Sequence, residues 1–221
     1  MAEDRPLAAV IFDLDGTLLD TLADLTDAVN FGLEKLSAPP RTEKEIESFI
    51  GDGAPILISQ ALPEDSPDEA RVQACLKQMM AFYGENWAQK TRPYEGIPEV
   101  LQAYASKNIP MAVLSNKPDE FVADMVDRFF PSKPFSHAWG IRGDGIKKPD
   151  PTVALEIAAA WRLPVDAIAF VGDSAIDIET ARAAKMLKVA VTWGFRRAEA
   201  LREYQPDRLF EKASDLLTLF S

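Results

Sequence analysis

Apolar and polar positions change rhythm twice along the chain. Residues 7–12 form one short apolar run that ends in Asp13, Asp15 and Gly16, the pattern of a buried strand closing in a loop. Between Thr21 and Thr91 apolar residues recur at helical spacing, as at Leu22, Leu25, Val29, Leu33 and Leu36, and strand-like alternation is missing. Interruptions rich in Pro, Gly and Asp at residues 37–40, 51–55 and 63–67 divide this stretch into about four helices. After residues 92–96 helices alternate with short apolar strands, as in a parallel sheet covered by helices. The predicted strands there are residues 110–114, 135–139, 167–171 and 189–192, with 208–210 as an edge strand. The predicted helices are residues 98–107, 119–129, 152–161, 175–184, 198–203 and 213–219.

The pattern predicts an α/β fold, a Rossmann-like parallel-sheet core interrupted after its first strand by a helical insertion. The core takes residues 1–17 and 95–221, and the insertion residues 18–94. At 221 residues and 47% hydrophobic, the chain can bury roughly 70% of the surface its unfolded form exposes.

Charge and composition narrow the function. Lys and Arg number 24 against 35 Asp and Glu, a formal charge of −11 with the acids scattered along the chain. Such a surface repels nucleic-acid phosphates and anionic lipid, so neither nucleic acid nor membrane is an expected partner. The single cysteine, Cys75, excludes an internal disulfide, and the single histidine, His137, excludes a multi-histidine or cysteine-rich metal site. His137 reads as structural. The N-terminal apolar run is short and broken by acids, unlike a signal peptide or a membrane span. A cytoplasmic protein, monomeric or homodimeric, is expected.

Open parallel sheets bind ligands beyond the carboxyl ends of their strands. Four places qualify: the residues from Asp13 to Thr17 after the first strand; Ser115, Asn116 and Lys117 after the next core strand; the Lys147-Lys148-Pro149 segment before a helix; and Gly172-Asp173-Ser174 after a late strand, with Asp177 one helical turn on.

The motifs DLDGTLLDT, LSNKP, KKPDP and GDSAIDIETARAA, in that order, resemble the haloacid dehalogenase superfamily of aspartyl phosphotransferases. IGDGAPILISQAL, RPYEGIPEVL and WGFRRAEALREYQPDRLF are similar to its phosphoglycolate phosphatase subfamily. The resemblance makes the insertion a cap domain. It implies a Mg²⁺-dependent phosphatase acting on a small phosphorylated metabolite, with 2-phosphoglycolate expected. A phosphosugar mutase or a phosphatase or pyrophosphatase for another small substrate uses the same core, and a non-catalytic binding protein on this fold is a further alternative.

Phosphoryl transfer needs a nucleophile, charge neutralisation and a proton donor for the leaving group. Asp13 is the expected nucleophile, forming a phosphoaspartate. By resemblance, Asp15 is general acid and then general base, and its backbone carbonyl is a metal ligand. Asp13 and Asp173 supply carboxylate oxygens to Mg²⁺, which prefers hard oxygen donors. Ser115 and the Asn116 N–H bind phosphoryl oxygens, and Lys148, which directly precedes Pro149, adds positive charge beside the phosphate and Asp13. Asp177 orients Lys148 or a metal-bound water. Asp15 also argues against a dehalogenase, which needs no leaving-group protonation there. In the cap, free N–H groups at a helix start near Gly51 and Gly53 are an expected anion contact, and Asp52 adds a negative charge beside them. Finally, ETARAAKMLK lacks the glycine that members of the resembled family usually carry after this helix, so a non-glycine residue such as Lys185 is expected to turn the chain there.

Overall fold

The computed structural model describes residues 6–63, 67–143 and 145–220. Residues 1–5 of the expected core, and with them the start of the N-terminal run, lie outside the described residues, as does most of the expected break at 63–67. The first elements are β1 (Ala9–Phe12), β2 (Leu19–Asp20), α1 (Leu22–Lys35), α2 (Glu43–Phe49), α3 (Ala54–Ala61), α4 (Glu69–Asn86) and β3 (Arg92–Pro93). There follow α5 (Ile97–Ser106), β4 (Met111–Pro118), α6 (Asp119–Phe129), β5 (His137–Ile141), α7 (Thr152–Trp161), β6 (Ile168–Gly172), α8 (Ala175–Ala184), β7 (Leu187–Val191), α9 (Ala198–Glu203) and β8 (Arg208–Phe210).

The chain forms two compact units, one of Met1–Leu19 with Pro93–Ser221 and one of Asp20–Arg92. The crossings lie two residues from the expected boundaries at both ends. Leu18 and Leu19 are fully buried, their N–H groups donate to the Leu14 carbonyl, and the Leu18 carbonyl accepts from Tyr94. These bonds hold 18, 19 and 94 with the sheet. The short strands β2 and β3, which pair at the crossings, are too brief for a periodicity signal.

The first unit is a six-stranded sheet in the order β5-β4-β1-β6-β7-β8, parallel at every pairing. The fold class is as the sequence predicts. β1 lies centrally between β4 and β6, so all four of its residues are buried, which is why it reads as an unbroken apolar run. Alternate side chains serve opposite faces. Ala9 and Ile11 join Leu114 and Phe170 in a core closed by Val153, Ala154 and Ile157 of α7 and Ala181 and Ala184 of α8. Phe12 stacks on Tyr104 of α5, ring centroids 6.5 Å apart.

Two local expectations change. The C-terminal segment Ala213–Phe220 is 3-10, not α-helical; the Leu216 carbonyl, which an α-helix would pair with the N–H four residues on, accepts from the Tyr104 hydroxyl, and the Phe220 carbonyl at the segment's end accepts from Lys107. β4 runs on through Ser115, Asn116 and Lys117 to Pro118 instead of stopping at Leu114. As expected, Lys185 turns the chain after α8, with φ 59°.

The second unit is helical. α1 and α4 cross where Gly32 meets Cys75: a Cβ on Gly32 would stand 2.9 Å from the Cys75 carbonyl oxygen. Beside this crossing Phe31 stacks on Phe82 at 4.6 Å. Thr42 and Glu45 form a capping box at the start of α2, and Asp68 caps α4 by accepting from the Arg71 N–H. The buried Asp24 carboxylate accepts from the N–H groups of Lys90 and Thr91 and from the Thr91 hydroxyl. Among the described residues no helix is long and apolar enough to cross a membrane.

Candidate active site

The carboxyl ends of β1, β4 and β6, with the segment before α7, gather the candidates of the sheet unit. After β1 the chain turns through Gly16, whose φ of +81° favours glycine. A Cβ there would also fall 2.4 Å from an Asp173 carboxylate oxygen. The turn can therefore lie against β6 only because position 16 has no side chain. Gly172 does the same for Asp177, since a Cβ on it would come within 2.2 Å of the Asp177 Cγ.

Lys148 is the centre of charge. Its side chain is 2% exposed, and Nζ stands 2.8 Å from Asp13 Oδ1 and 2.6 Å from Asp177 Oδ1. Burial works against its charged form, but the carboxylates of Asp13 and Asp177 outweigh that and raise its pKa. The backbone at Lys148 is fixed by Asn116, whose amide accepts from the Lys148 N–H at 2.8 Å and donates to its carbonyl at 3.0 Å. Asn116 thus ties the end of β4 to the lysine segment, a role its place in the sequence does not reveal.

Asp177 is held by both oxygens. Oδ1 takes the Lys148 ammonium, and Oδ2 accepts from the Ser174 N–H at 3.1 Å and hydroxyl at 2.6 Å. Ser174, not Asp173, is the N-cap of α8 and forms a capping box with Asp177. Asp173 points into the site instead: Oδ1 accepts from the Thr17 hydroxyl at 3.0 Å and Oδ2 from the Phe195 N–H at 2.8 Å. Neither partner was singled out from the sequence. Thr17 stands inside the first motif, where its position was the available signal; Phe195 acts through its backbone, which residue type does not reveal.

Asp13, Asp173 and Asp177 each offer a carboxylate oxygen within 4.8 Å of the others, all three residues being buried. Burial first, then the Asp177 charge, raises the Asp13 pKa to about 8 despite Lys148, and the same two causes raise Asp173 to about 7 despite Phe195 and Thr17. Three carboxylates facing one ammonium would, if all were ionised, carry an excess of negative charge in a buried place, which is why two of them hold their protons to higher pH. Hard oxygen donors in that arrangement fit a small divalent cation. The Asp15 carboxylate is not in this group.

Ser115 is buried, and its hydroxyl accepts from the Lys117 N–H at 3.3 Å. The Lys117 ammonium meets both oxygens of Asp15, at 3.0 Å and 3.1 Å. Lys117 was not among the residues given a role from sequence, although it follows Ser115 and Asn116 directly. Gly51 and Gly53 belong to the helical unit, with φ of +138° and +93° on the turn before α3. His137 packs edge-on against Trp139 at 4.8 Å.

A family model described as haloacid dehalogenase-like hydrolase matches residues 10–191. The phosphoglycolate phosphatase of Escherichia coli (strain K12) is 32% identical over 238 residues, covering 98% of this chain and 94% of that protein. Phosphoglycolate phosphatase 1 of Pseudomonas aeruginosa is 33% identical over 214 residues, covering 94% of this chain and 78% of that protein. The crystal structure of a predicted phosphoglycolate phosphatase from Haemophilus somnus 129PT superposes with a TM-score of 0.89 at 29% identity, covering 97% of this chain and 98% of that one. With that span of match behind the cluster of acids and lysines at the sheet's carboxyl edge, the chain belongs to the haloacid dehalogenase-like hydrolase family and is a hydrolytic enzyme.

Proposed function

We propose that the protein is a Mg²⁺-dependent phosphatase that hydrolyses 2-phosphoglycolate to glycolate and phosphate through a phosphoaspartate on Asp13. The observation that carries the reading is the Lys148 ammonium bridging Asp13 and Asp177 beside the buried Asp173. It supports a site built to receive a phosphoryl group at Asp13. The full-length similarity to proteins named phosphoglycolate phosphatase favours the substrate.

In the first step an Asp13 carboxylate oxygen bonds to phosphorus as the ester P–O bond breaks. The Asp15 carboxyl gives its proton to the departing oxygen, releasing the alcohol. Ser115, the Asn116 N–H and Lys148 bind the phosphoryl oxygens, where donors already in place stabilise charge without rearrangement. In the second step water attacks phosphorus, Asp15 takes the water's proton, and phosphate leaves with Asp13 restored. Asp13, Asp173 and the Asp15 backbone carbonyl would hold Mg²⁺, which when bound supplies positive charge against the repulsion between nucleophile and phosphate. Asp177 positions Lys148. In the domain scheme this reading adopts, the sheet unit is the catalytic core and the helical unit a cap, and the N–H groups around Gly51 and Gly53 are the candidates for the substrate's carboxylate.

The test is phosphate release from a panel of small phosphate esters with and without Mg²⁺, against Asp13→Asn. Metal-dependent release from 2-phosphoglycolate, lost in the variant, is expected. No release above the variant overturns the phosphatase reading, and conversion of a hexose phosphate to its isomer with a bisphosphate primer, without free phosphate, replaces it by a mutase.

A further inference from the structure

Lys117 provides a second ammonium at the strand ends, and the steps above make no use of it. Its side chain is 6% exposed and that of Asp15, which it meets, 13%. An exposed ion pair contributes little, because water and salt screen it and two long side chains lose freedom. This pair is shielded, and both Asp15 oxygens face one nitrogen.

The backbone explains how the lysine comes to be there. β4 continues past Leu114 with a shift of register against β5 between Leu114 and Pro118. The continuation is accommodated by Gly140 of β5: a Cβ there would lie 2.3 Å from the Lys117 carbonyl oxygen and 2.8 Å from Asp119 backbone atoms. The Gly140 N–H donates to Asp119 Oδ1 at 2.7 Å, tying β5 to the start of α6 just beyond the lysine. On the other side the Lys117 N–H is held by the Ser115 hydroxyl. Lys117 therefore leaves a backbone fixed from both directions, which lowers the cost of ordering a long side chain. Asp15 sits on the turn that Gly16 makes, where the backbone pairs with Leu19, and its carboxylate is met by the Lys117 ammonium.

We propose that Lys117 is the positioning residue for Asp15, holding its carboxyl group in the orientation from which it protonates the departing oxygen and later accepts the water's proton. The proposal rests on Asp15 being the general acid and base. Proton transfer needs heavy atoms within hydrogen-bond reach, and a misplaced group loses much of its effect.

The experiment compares kcat/KM for two esters, an alkyl phosphate and p-nitrophenyl phosphate, in the full-length Mg²⁺-loaded enzyme. This parameter reports the step that breaks the ester bond, and the nitrophenolate leaves with little need of a proton. Lys117→Met is expected to lower kcat/KM for the alkyl ester by about 10- to 100-fold and for the nitrophenyl ester by only about 3-fold or less, with Lys117→Arg recovering part of the difference. In an Asp15→Asn background, which leaves no unpaired carboxylate, Lys117→Met is expected to add little, because groups acting as one unit are non-additive.

Equal losses for both esters, no loss, or a full further loss in the Asp15→Asn background overturns the proposal. Should Lys117→Met not fold, Lys117→Gln, which keeps a hydrogen-bond donor without the charge, takes its place in the comparison of the two esters and in the Asp15→Asn background. If Asp15→Asn itself shows no preference between the esters, the assignment of Asp15 falls first; if it shows one and Lys117→Met does not, only the role of Lys117 falls.

Discussion

At the scale of single residues, Lys148 stands between two carboxylates that would otherwise face each other out of water. Removing one member of a buried charge pair leaves the remainder uncompensated and costs about 3–5 kcal/mol. Lys148→Met is therefore expected to lower stability by an amount of that order as well as to remove turnover, with urea unfolding and a phosphate-release assay as the measurements. A stable, active Lys148→Met protein would contradict the geometry. Asp13→Asn is expected to be different in kind. It takes one charge from a crowded acidic cluster, so turnover should disappear while the fold is kept or made firmer, as thermal unfolding would report. The strand-end motifs, with the family resemblance they carry, already pointed to Asp13, Asp15, Ser115, Lys148 and Asp173 as expected site residues. The partners of Asp173 were not legible: a hydroxyl from Thr17 and an N–H from Phe195 meet it only once distant stretches of chain fold together.

Among the elements, the close crossing of α1 and α4 gives a test with an unusual sign. Replacing a helical glycine by alanine ordinarily favours the helix by about 1 kcal/mol. At Gly32 the added methyl would press on the backbone of Cys75, and overpacking costs about 1–3 kcal/mol. Gly32→Ala is expected to destabilise the protein, and a rise in midpoint on urea titration would show that the crossing yields. The ranges of α6, α7, α8 and α9 coincide with the reading of hydrophobic spacing, because that spacing is a local property; of these four only α8 has a side-chain N-cap. The strands were less legible. β4 extends to Pro118 because β5 offers Gly140 beside it, and a neighbour of that kind is set by pairing rather than by the strand's own residues.

For the molecule as a whole, the acidic cluster links stability, pH and metal. Asp13 and Asp173 have folded-state pKa values of about 8 and about 7, raised from 3.8 by burial and by Asp177. Unfolded, they release their protons near pH 4; folded without metal, they keep them to higher pH. The folded state thus binds more protons between those limits, so what these two groups contribute to the stability of the metal-free protein is full below about pH 4 and is lost as pH rises through 7 to 8. A divalent cation competes with the same protons. Mg²⁺ added to chelator-treated protein is expected to raise the melting temperature more at pH 8 than at pH 5; a metal effect independent of pH would remove the cluster as its seat. The net charge of −11 would by itself repel an anionic substrate, and on the proposed function a cation held at this cluster would reconcile the two. The sequence alone determined the alternation that makes a parallel α/β sheet, the helical stretch interrupting it, and the acids and lysines at strand ends, because spacing and residue type are local properties. Only the tertiary structure decided which of these charges meet: Lys148 with Asp13 and Asp177, Lys117 with Asp15, Asn116 with the backbone of Lys148. Such pairings depend on parallel strands drawn from remote parts of the chain and on backbones brought together at Gly16, Gly140 and Gly172, and no local pattern carries that information.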